Sequence, residues 1–138
     1  MQKILPDTNV FIDWLNRGRY GELLLAKGVL KYVSAVVLLE LEAGAFFRRD
    51  QRLVEQLARG FEQVRRIVVP TASDYRDGGK LLRRLQEEKG YELHKTYSLI
   101  NDVLIALCAR RIGAMILTQN AKDFEAIREF LSFSLVVV

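Results

Sequence analysis

The chain has one cysteine, one histidine and no long apolar run. The single cysteine, Cys108, cannot form an intramolecular disulfide, and its place in the apolar stretch 103–109 predicts a small core residue. No segment approaches the ~20 apolar residues that a membrane span requires, and the start of the chain lacks the apolar core of a signal peptide. These absences predict a cytoplasmic protein in a reducing compartment, with no membrane partner.

Length and charge narrow the class of protein. With 138 residues, 50% of them hydrophobic, the chain is long enough for one substantial core and too short for two comfortable domains. We therefore expect a single domain over residues 1–138. Lysine and arginine total 21 against 17 acidic residues, a net charge of +4. This excess favours a polyanionic partner, although an ordinary basic surface accounts for it equally well.

Four acidic residues lie at the edges of apolar segments: Asp7, Glu40, Asp102 and Asp123. A carboxylate is costly in such surroundings, so four such placements suggest one shared pocket that holds a divalent cation. Hard oxygen ligands suit Mg²⁺ or Mn²⁺, which activate water for phosphodiester hydrolysis. Without metal the carboxylates repel one another, so we expect a raised pKa for at least one of them.

Each acid also has an ordinary structural interpretation. Asp7 and Asp123 are typical helix caps, and Asp102 is typical of an early-helix charge that complements the helix dipole. Glu40 is harder to explain in this way because it interrupts the apolar stretch 36–41, where no cap is needed. Singly the structural interpretations are favoured, but the joint pattern favours a common site.

Apolar and turn-forming segments predict strands that alternate with helices. Strands are predicted at 4–5, 29–33, 67–69, 114–118 and 133–138. Helices are predicted from Val10, at 20–27, from 35 after a Ser34 cap, at 48–59 with Gly60 as the stop, from Thr71 or Ser73 to 89, at 98–111, and up to 130. The alternation predicts an α/β fold, with a mostly parallel sheet of four to five strands covered by helices on both faces.

The predicted topology brings the acids together. In parallel α/β sheets the ligand crevice lies beyond the carboxyl ends of the strands. Asp7 and Asp123 both follow strands there, and Glu40 and Asp102 lie on helices that could lean into the same crevice.

The chain contains four short motifs whose order resembles that of the PIN-domain nucleases. Within that family it is most similar to the VapC-type toxins of toxin–antitoxin pairs. The motifs are Asp7-Thr8-Asn9, Ser34 with Glu40-Leu41 and Gly44, Asp102 with Ile105-Ala106, and Thr118 with Asn120, Asp123 and Phe124. Each motif alone is weak, but the four in order span the chain from Ile4 to Phe124. One departure is Val37, where many relatives carry a threonine.

The resemblance implies a metal-dependent endoribonuclease that leaves a 5′-phosphate and a 3′-hydroxyl. The implied catalytic and metal-binding acids are Asp7, Glu40, Asp102 and Asp123. The implied hydrogen-bonding supports are Asn9, Thr118 and Asn120. It further implies Mg²⁺ or Mn²⁺ as cofactor, an RNA substrate, a VapB-like antitoxin and a homodimer. Adjacent Phe46 and Phe47 cannot both face one core, so we expect one of them at a subunit or antitoxin contact.

Other charged residues are weaker candidates. A basic helical face is either a track for RNA phosphates or simply solvated; it consists of Arg76, Lys80, Arg83 and Arg84. A second basic group, Arg48, Arg49 and Arg52, has the same ambiguity. His94, Asp13 and Glu42 are interpreted as solvent-facing rather than catalytic.

Three classes of function remain. The first is the metal-dependent ribonuclease toxin, the second a housekeeping PIN nuclease of RNA processing, and the third a noncatalytic PIN interaction module. The complete set of acids disfavours the third. A short upstream reading frame with a DNA-binding start would favour the toxin over the housekeeping enzyme.

Overall fold

Strands and helices alternate along the computed structural model, which describes residues 1–138. The strands are β1 (Gln2–Pro6), β2 (Val29–Lys31), β3 (Val33–Ser34), β4 (Ile67–Val68), β5 (Met115–Thr118) and β6 (Ser134–Val137). The helices are α1 (Thr8–Arg17), α2 (Gly21–Leu24), α3 (Ala35–Gly44), α4 (Arg48–Gln63), α5 (Ala72–Lys89), α6 (Ser98–Ile112) and α7 (Ala121–Arg128). None of these helices combines the length and the apolar character needed to cross a bilayer. The predicted α/β fold is confirmed.

The main sheet has four parallel strands in the order β2-β1-β5-β6. Successive strand residues point to opposite faces of the sheet, so both faces carry apolar side chains. Helices cover each of these faces. Ile4 packs in a small cluster with Val10 of α1 and Leu24 of α2. Its neighbour Leu5 joins the large core cluster, to which α6 contributes Val103 and most of its other buried residues. The predicted parallel sheet therefore separates two apolar layers.

The carboxyl ends of β1 and β5 meet at one edge of this sheet. The two strands pair in parallel, with Leu5 opposite Ile116. Just beyond the end of β1, the backbone N–H of Asp7 donates to the carbonyl of Leu117 at 2.8 Å. This contact places Asp7 beside Thr118, the last residue of β5.

The predicted strand at 29–33 is wrong in one respect, because the chain changes sheets within it. Val29–Lys31 pairs with β1, whereas Val33–Ser34 pairs with β4 in a separate two-stranded parallel sheet. Tyr32 lies at the crossing, where its N–H still donates to Ile4 of the main sheet at 2.9 Å. The change of sheet carries the chain directly into α3.

Gly60 does not end α4, which continues to Gln63. A glycine inside a helix costs roughly 0.5–1 kcal/mol relative to alanine. That cost is offset by Phe61, which is buried and lies edge-on to Phe11 with ring centroids 6.0 Å apart. The predicted helix at 20–27 is also shorter in the structure, where α2 covers only Gly21–Leu24.

Helix α6 lies in the centre of the large cluster and α5 packs closely against it. The close approach uses Gly78, since a Cβ there would lie 3.4 Å from side-chain atoms of Leu107 and Val103. Glycines in α5 leave the helix unbroken from Ala72 to Lys89. Thr71 caps it through a full capping box with Asp74.

Candidate active site

Asp7 begins the site at the junction of β1 and α1. It caps α1, with Oδ1 accepting a hydrogen bond from the N–H of Thr8 at 2.8 Å. Its Oδ2 accepts from the Thr118 hydroxyl at 2.8 Å and from the Asn9 amide at 3.3 Å. Burial raises the pKa of Asp7, although all three bonds oppose the shift. The capping interpretation is therefore correct for one oxygen, while the other belongs to a buried polar cluster.

Glu40 approaches from the middle of α3, whose N-cap is Ser34 as predicted. Its Oε1 accepts a hydrogen bond from the Thr8 hydroxyl at 2.9 Å. Burial raises the pKa of Glu40, and the nearby charge of Asp7 adds to the shift, whereas the Thr8 bond opposes it. Val37, the departure from the family pattern, is fully buried in the core. The hydroxyl that contacts Glu40 therefore comes from α1.

Asp102 is the most perturbed acid of the site. It lies in α6 and is 4% exposed. Burial, followed by the charges of Asp7, Asp123 and Glu40, raises the pKa of Asp102 to about 8. The three charges also show that the four acids share one electrostatic environment. The expectation of a raised pKa within the cluster is confirmed.

Asn120 connects the two remaining acids. It caps α7, and its side-chain amide donates to Asp102 Oδ2 and to Asp123 Oδ2, each at 3.1 Å. Asp123 Oδ1 accepts a further hydrogen bond from the Tyr91 hydroxyl at 2.9 Å. Burial and this bond to the carboxylate raise the pKa of Tyr91 to about 12, so the phenol remains a donor at neutral pH. The structure thus joins all four predicted acids through uncharged donors.

No cationic side chain neutralises these acids. The ion pairs of the structure involve other carboxylates, and none includes Asp7, Glu40, Asp102 or Asp123. No three acidic, histidine or cysteine side chains lie close enough to bind an ion by protein ligands alone. Mg²⁺ is nevertheless suited to the site, since it keeps several waters and is commonly bound through one or two carboxylates. The donor set fits a hydrated hard cation.

Comparison with known proteins agrees with this geometry. The family model described as PIN domain matches residues 4–129. The chain belongs to the PIN-domain family. No curated protein sequence gave a significant match to this PIN domain.

Solved structures similar to this PIN domain include several VapBC proteins. VapBC2 from Rickettsia felis, bound to a DNA fragment from its promoter, is 26% identical with a TM-score of 0.71, covering 99% of each chain. VapBC-1 from nontypeable Haemophilus influenzae is 21% identical with a TM-score of 0.70, covering 99% of this chain and 98% of that one. VapBC-5 from Mycobacterium tuberculosis is 21% identical with a TM-score of 0.67, covering all of both chains. The predicted resemblance to VapC-type PIN proteins is confirmed.

Two residues that contact the acids of this PIN domain were not singled out from the sequence. Thr8 belongs to the first motif, and its position directly after Asp7 is the sequence feature that indicates a role beside the acids. Tyr91 lies 32 residues from Asp123 in a loop, so no local pattern indicated their contact. The predicted supports Asn9, Thr118 and Asn120 all donate to the acids.

The other charged candidates lie outside this cluster. His94 is exposed and 3.9 Å from Glu92. Glu42 is exposed as predicted, but Asp13 is half-buried, where it pairs with Arg19 and accepts from Gln119 at 2.7 Å. Asp13 is therefore held by side-chain contacts outside the acidic cluster and is not purely solvated.

Proposed function

We propose that this PIN domain, spanning residues 1–138, is a metal-dependent endoribonuclease and the toxin of a type II toxin–antitoxin pair. The observation that carries the proposal is a cluster of four acids, of which Asp7 and Asp102 are buried and the other two half-buried, and none of which forms an ion pair with a cationic side chain. Such a cluster is unfavourable unless a cation binds there. The complete set of acids also favours a nuclease over a noncatalytic PIN module, and the similarity to VapBC proteins favours the toxin over a housekeeping enzyme.

Each residue has a defined part in this proposal. Asp7, Glu40, Asp102 and Asp123 would hold Mg²⁺ or Mn²⁺ directly or through water. When bound, the ion lowers the pKa of a water molecule and stabilises the departing oxygen of the RNA phosphodiester. Thr118 and Asn9 orient the Asp7 carboxylate, and Asn120 sets the spacing of Asp102 and Asp123.

Metal addition tests the proposal directly. In metal-stripped protein we expect no cleavage of single-stranded RNA, and full recovery on addition of Mg²⁺ or Mn²⁺. Because the ion binds the folded state, a concentration of 100 times its Kd should stabilise the protein by about 2.7 kcal/mol. RNA cleavage and thermal unfolding are measured across one metal titration. Cleavage that is undiminished in metal-stripped, chelated protein would contradict the proposal.

An apolar groove beside Glu40 supports an antitoxin partner. It is formed by α1, α3 and α4, with Ile12, Leu15 and Leu53 among its lining residues. Nearby, Phe46 and Phe47 are 82% and 73% exposed. The sequence predicted that at least one of these phenylalanines lies at a contact surface, and in the structure, where the helix ends at Gly44, both rings face solvent. We propose that this surface binds a VapB-like antitoxin. We also propose that the protein forms a homodimer.

Substituting both phenylalanines should separate binding from catalysis. We expect Phe46→Ser with Phe47→Ser to lose co-purification with the antitoxin encoded beside the gene, because exposed aromatic side chains are typical binding anchors. RNA cleavage by the free variant should remain. The matched control is Leu25→Ser, which changes an apolar side chain that is 66% exposed and lies outside the groove. Retained antitoxin binding by the double variant would exclude this surface.

The basic face of α5 is a candidate for RNA phosphate contacts. Arg76, Lys80 and Arg83 are exposed and make no ion pair, whereas Arg84 pairs with Glu88 at 2.8 Å. We expect Arg76→Ala with Arg83→Ala, in an Asp102→Asn chain, to reduce the slope of log affinity against log salt by roughly 1.4. The slope is measured by binding RNA across a salt series. A variant with Arg48→Ala and Arg52→Ala, in the second basic group, is the comparison. An unchanged slope would show that the basic face of α5 is solvated and does not contact RNA phosphates.

A further inference from the structure

Tyr91 reaches the acidic cluster from the loop between α5 and α6. Gly90 ends α5 with a φ of 72°, a left-handed conformation that favours glycine and turns the chain. The Tyr91 ring then packs against the large core cluster, and its hydroxyl donates to Asp123 Oδ1 at 2.9 Å. A side chain anchored by the core therefore holds one oxygen of a site carboxylate.

An aspartate occupies the third position after the N-cap in both α5 and α7, but its carboxylate has different hydrogen-bond partners in the two helices. Asp74 and Asp123 are each the third residue after their N-cap. In α5 the Asp74 carboxylate turns back and accepts from the N–H of its cap, Thr71, at 2.9 Å. In α7 the cap N–H of Asn120 instead donates to the Thr118 hydroxyl at 3.0 Å.

The Asp123 carboxylate is thus directed away from its ordinary capping role. Its two oxygens accept from Tyr91 and from the Asn120 side chain, and the latter also contacts Asp102. A carboxylate offers about four lone-pair positions, so both oxygens keep capacity for a cation or its waters.

We propose that Tyr91 is a positioning residue of this site, whose hydroxyl orients the Asp123 carboxylate toward Asp102 for binding a shared divalent cation. The inference rests on the proposed metal-dependent function. Hydrogen-bonding partners of metal ligands fix the ligand's orientation, and their loss typically weakens metal affinity by about 10–100-fold. Without the hydroxyl, Asp123 Oδ1 has no side-chain donor, and the bond from Asn120 to Oδ2 alone orients the carboxylate.

Removal of the single oxygen atom tests the inference. Tyr91→Phe keeps the packed ring, and Tyr97→Phe is the matched control, since the Tyr97 side chain lies in the same loop region, is 74% exposed and makes no hydrogen bond. We expect Tyr91→Phe to weaken Mn²⁺ binding, measured calorimetrically, by about 10–100-fold. The Mn²⁺ concentration for half-maximal RNA cleavage should rise by the same factor. Tyr97→Phe should match the wild type in both measurements.

A second variant shows whether Tyr91 acts through Asp123. In an Asp123→Asn background, Tyr91→Phe should cause no further loss of Mn²⁺ affinity, because the carboxylate that it orients is gone. An unchanged Mn²⁺ Kd for Tyr91→Phe would overturn the inference, and so would a raised KM for RNA at constant Mn²⁺ affinity, which indicates a substrate contact. A wild-type protein that binds no Mn²⁺ would overturn the proposed function together with this inference.

Discussion

Replacing Asp102 with asparagine is expected to abolish RNA cleavage while making the metal-free protein more stable. Loss of a residue that merely supports a metal ligand costs about 10–100-fold, so loss of a ligand itself should exceed about 100-fold. Stability changes in the opposite direction because Asp102 is buried among three other acids, which raise its pKa to about 8. At pH 7 the gain should be on the order of 4 kcal/mol, the free energy of keeping this carboxyl protonated in the fold.

The measurement compares the cleavage rate and the urea unfolding of the variant with those of the wild type. Asp77→Asn is the matched control, because Asp77 is exposed on α5 and makes no ion pair. It should change neither quantity appreciably. Unchanged cleavage by Asp102→Asn would remove Asp102 from the catalytic set, and lower stability in metal-free buffer would contradict the electrostatic account.

The assembly of the acids was predictable because the strand–helix alternation is strong in this sequence. Once β1 and β5 are known to be parallel, their carboxyl ends must meet, which puts Asp7 beside Thr118. Helical spacing from Ser34 and Ser98 then brings Glu40 and Asp102 to the same edge. Their catalytic roles stay a prediction, since their arrangement alone does not establish activity.

The contact of Tyr91 with Asp123 could not be predicted from the sequence, because it depends on long-range packing. The Tyr91 hydroxyl reaches Asp123 only because α5 and α7 lie close together. Likewise the continuation of α4 through Gly60 depends on the burial of Phe61 against Phe11. In each case a tertiary contact overrides the local preference of the chain.

The stability of the metal-free protein should fall as the pH rises from about 4 to about 8. The carboxyl of Asp102 has an ordinary pKa of 3.8, and burial beside Asp7, Asp123 and Glu40 raises its pKa in the fold to about 8. Between these values the unfolded chain has lost the proton that the native state retains. The unfolded state then binds fewer protons, so the free energy of unfolding decreases with pH and levels off above the folded pKa. The raised pKa values of Asp7 and Glu40 act in the same direction.

Saturating Mg²⁺ should remove most of this slope, because a bound cation favours the ionised carboxylates and lowers their pKa in the fold. Urea unfolding of metal-stripped protein at several pH values, with and without Mg²⁺, measures both effects. Asp102→Asn should flatten the metal-free curve, whereas the exposed-site control Asp77→Asn should keep it. A metal-free stability that is constant or rises from pH ~5 to ~8 would contradict the raised pKa of Asp102. A slope that persists in Mg²⁺ would instead place the cation elsewhere, because only an ion close to Asp102 stabilises its charged form strongly.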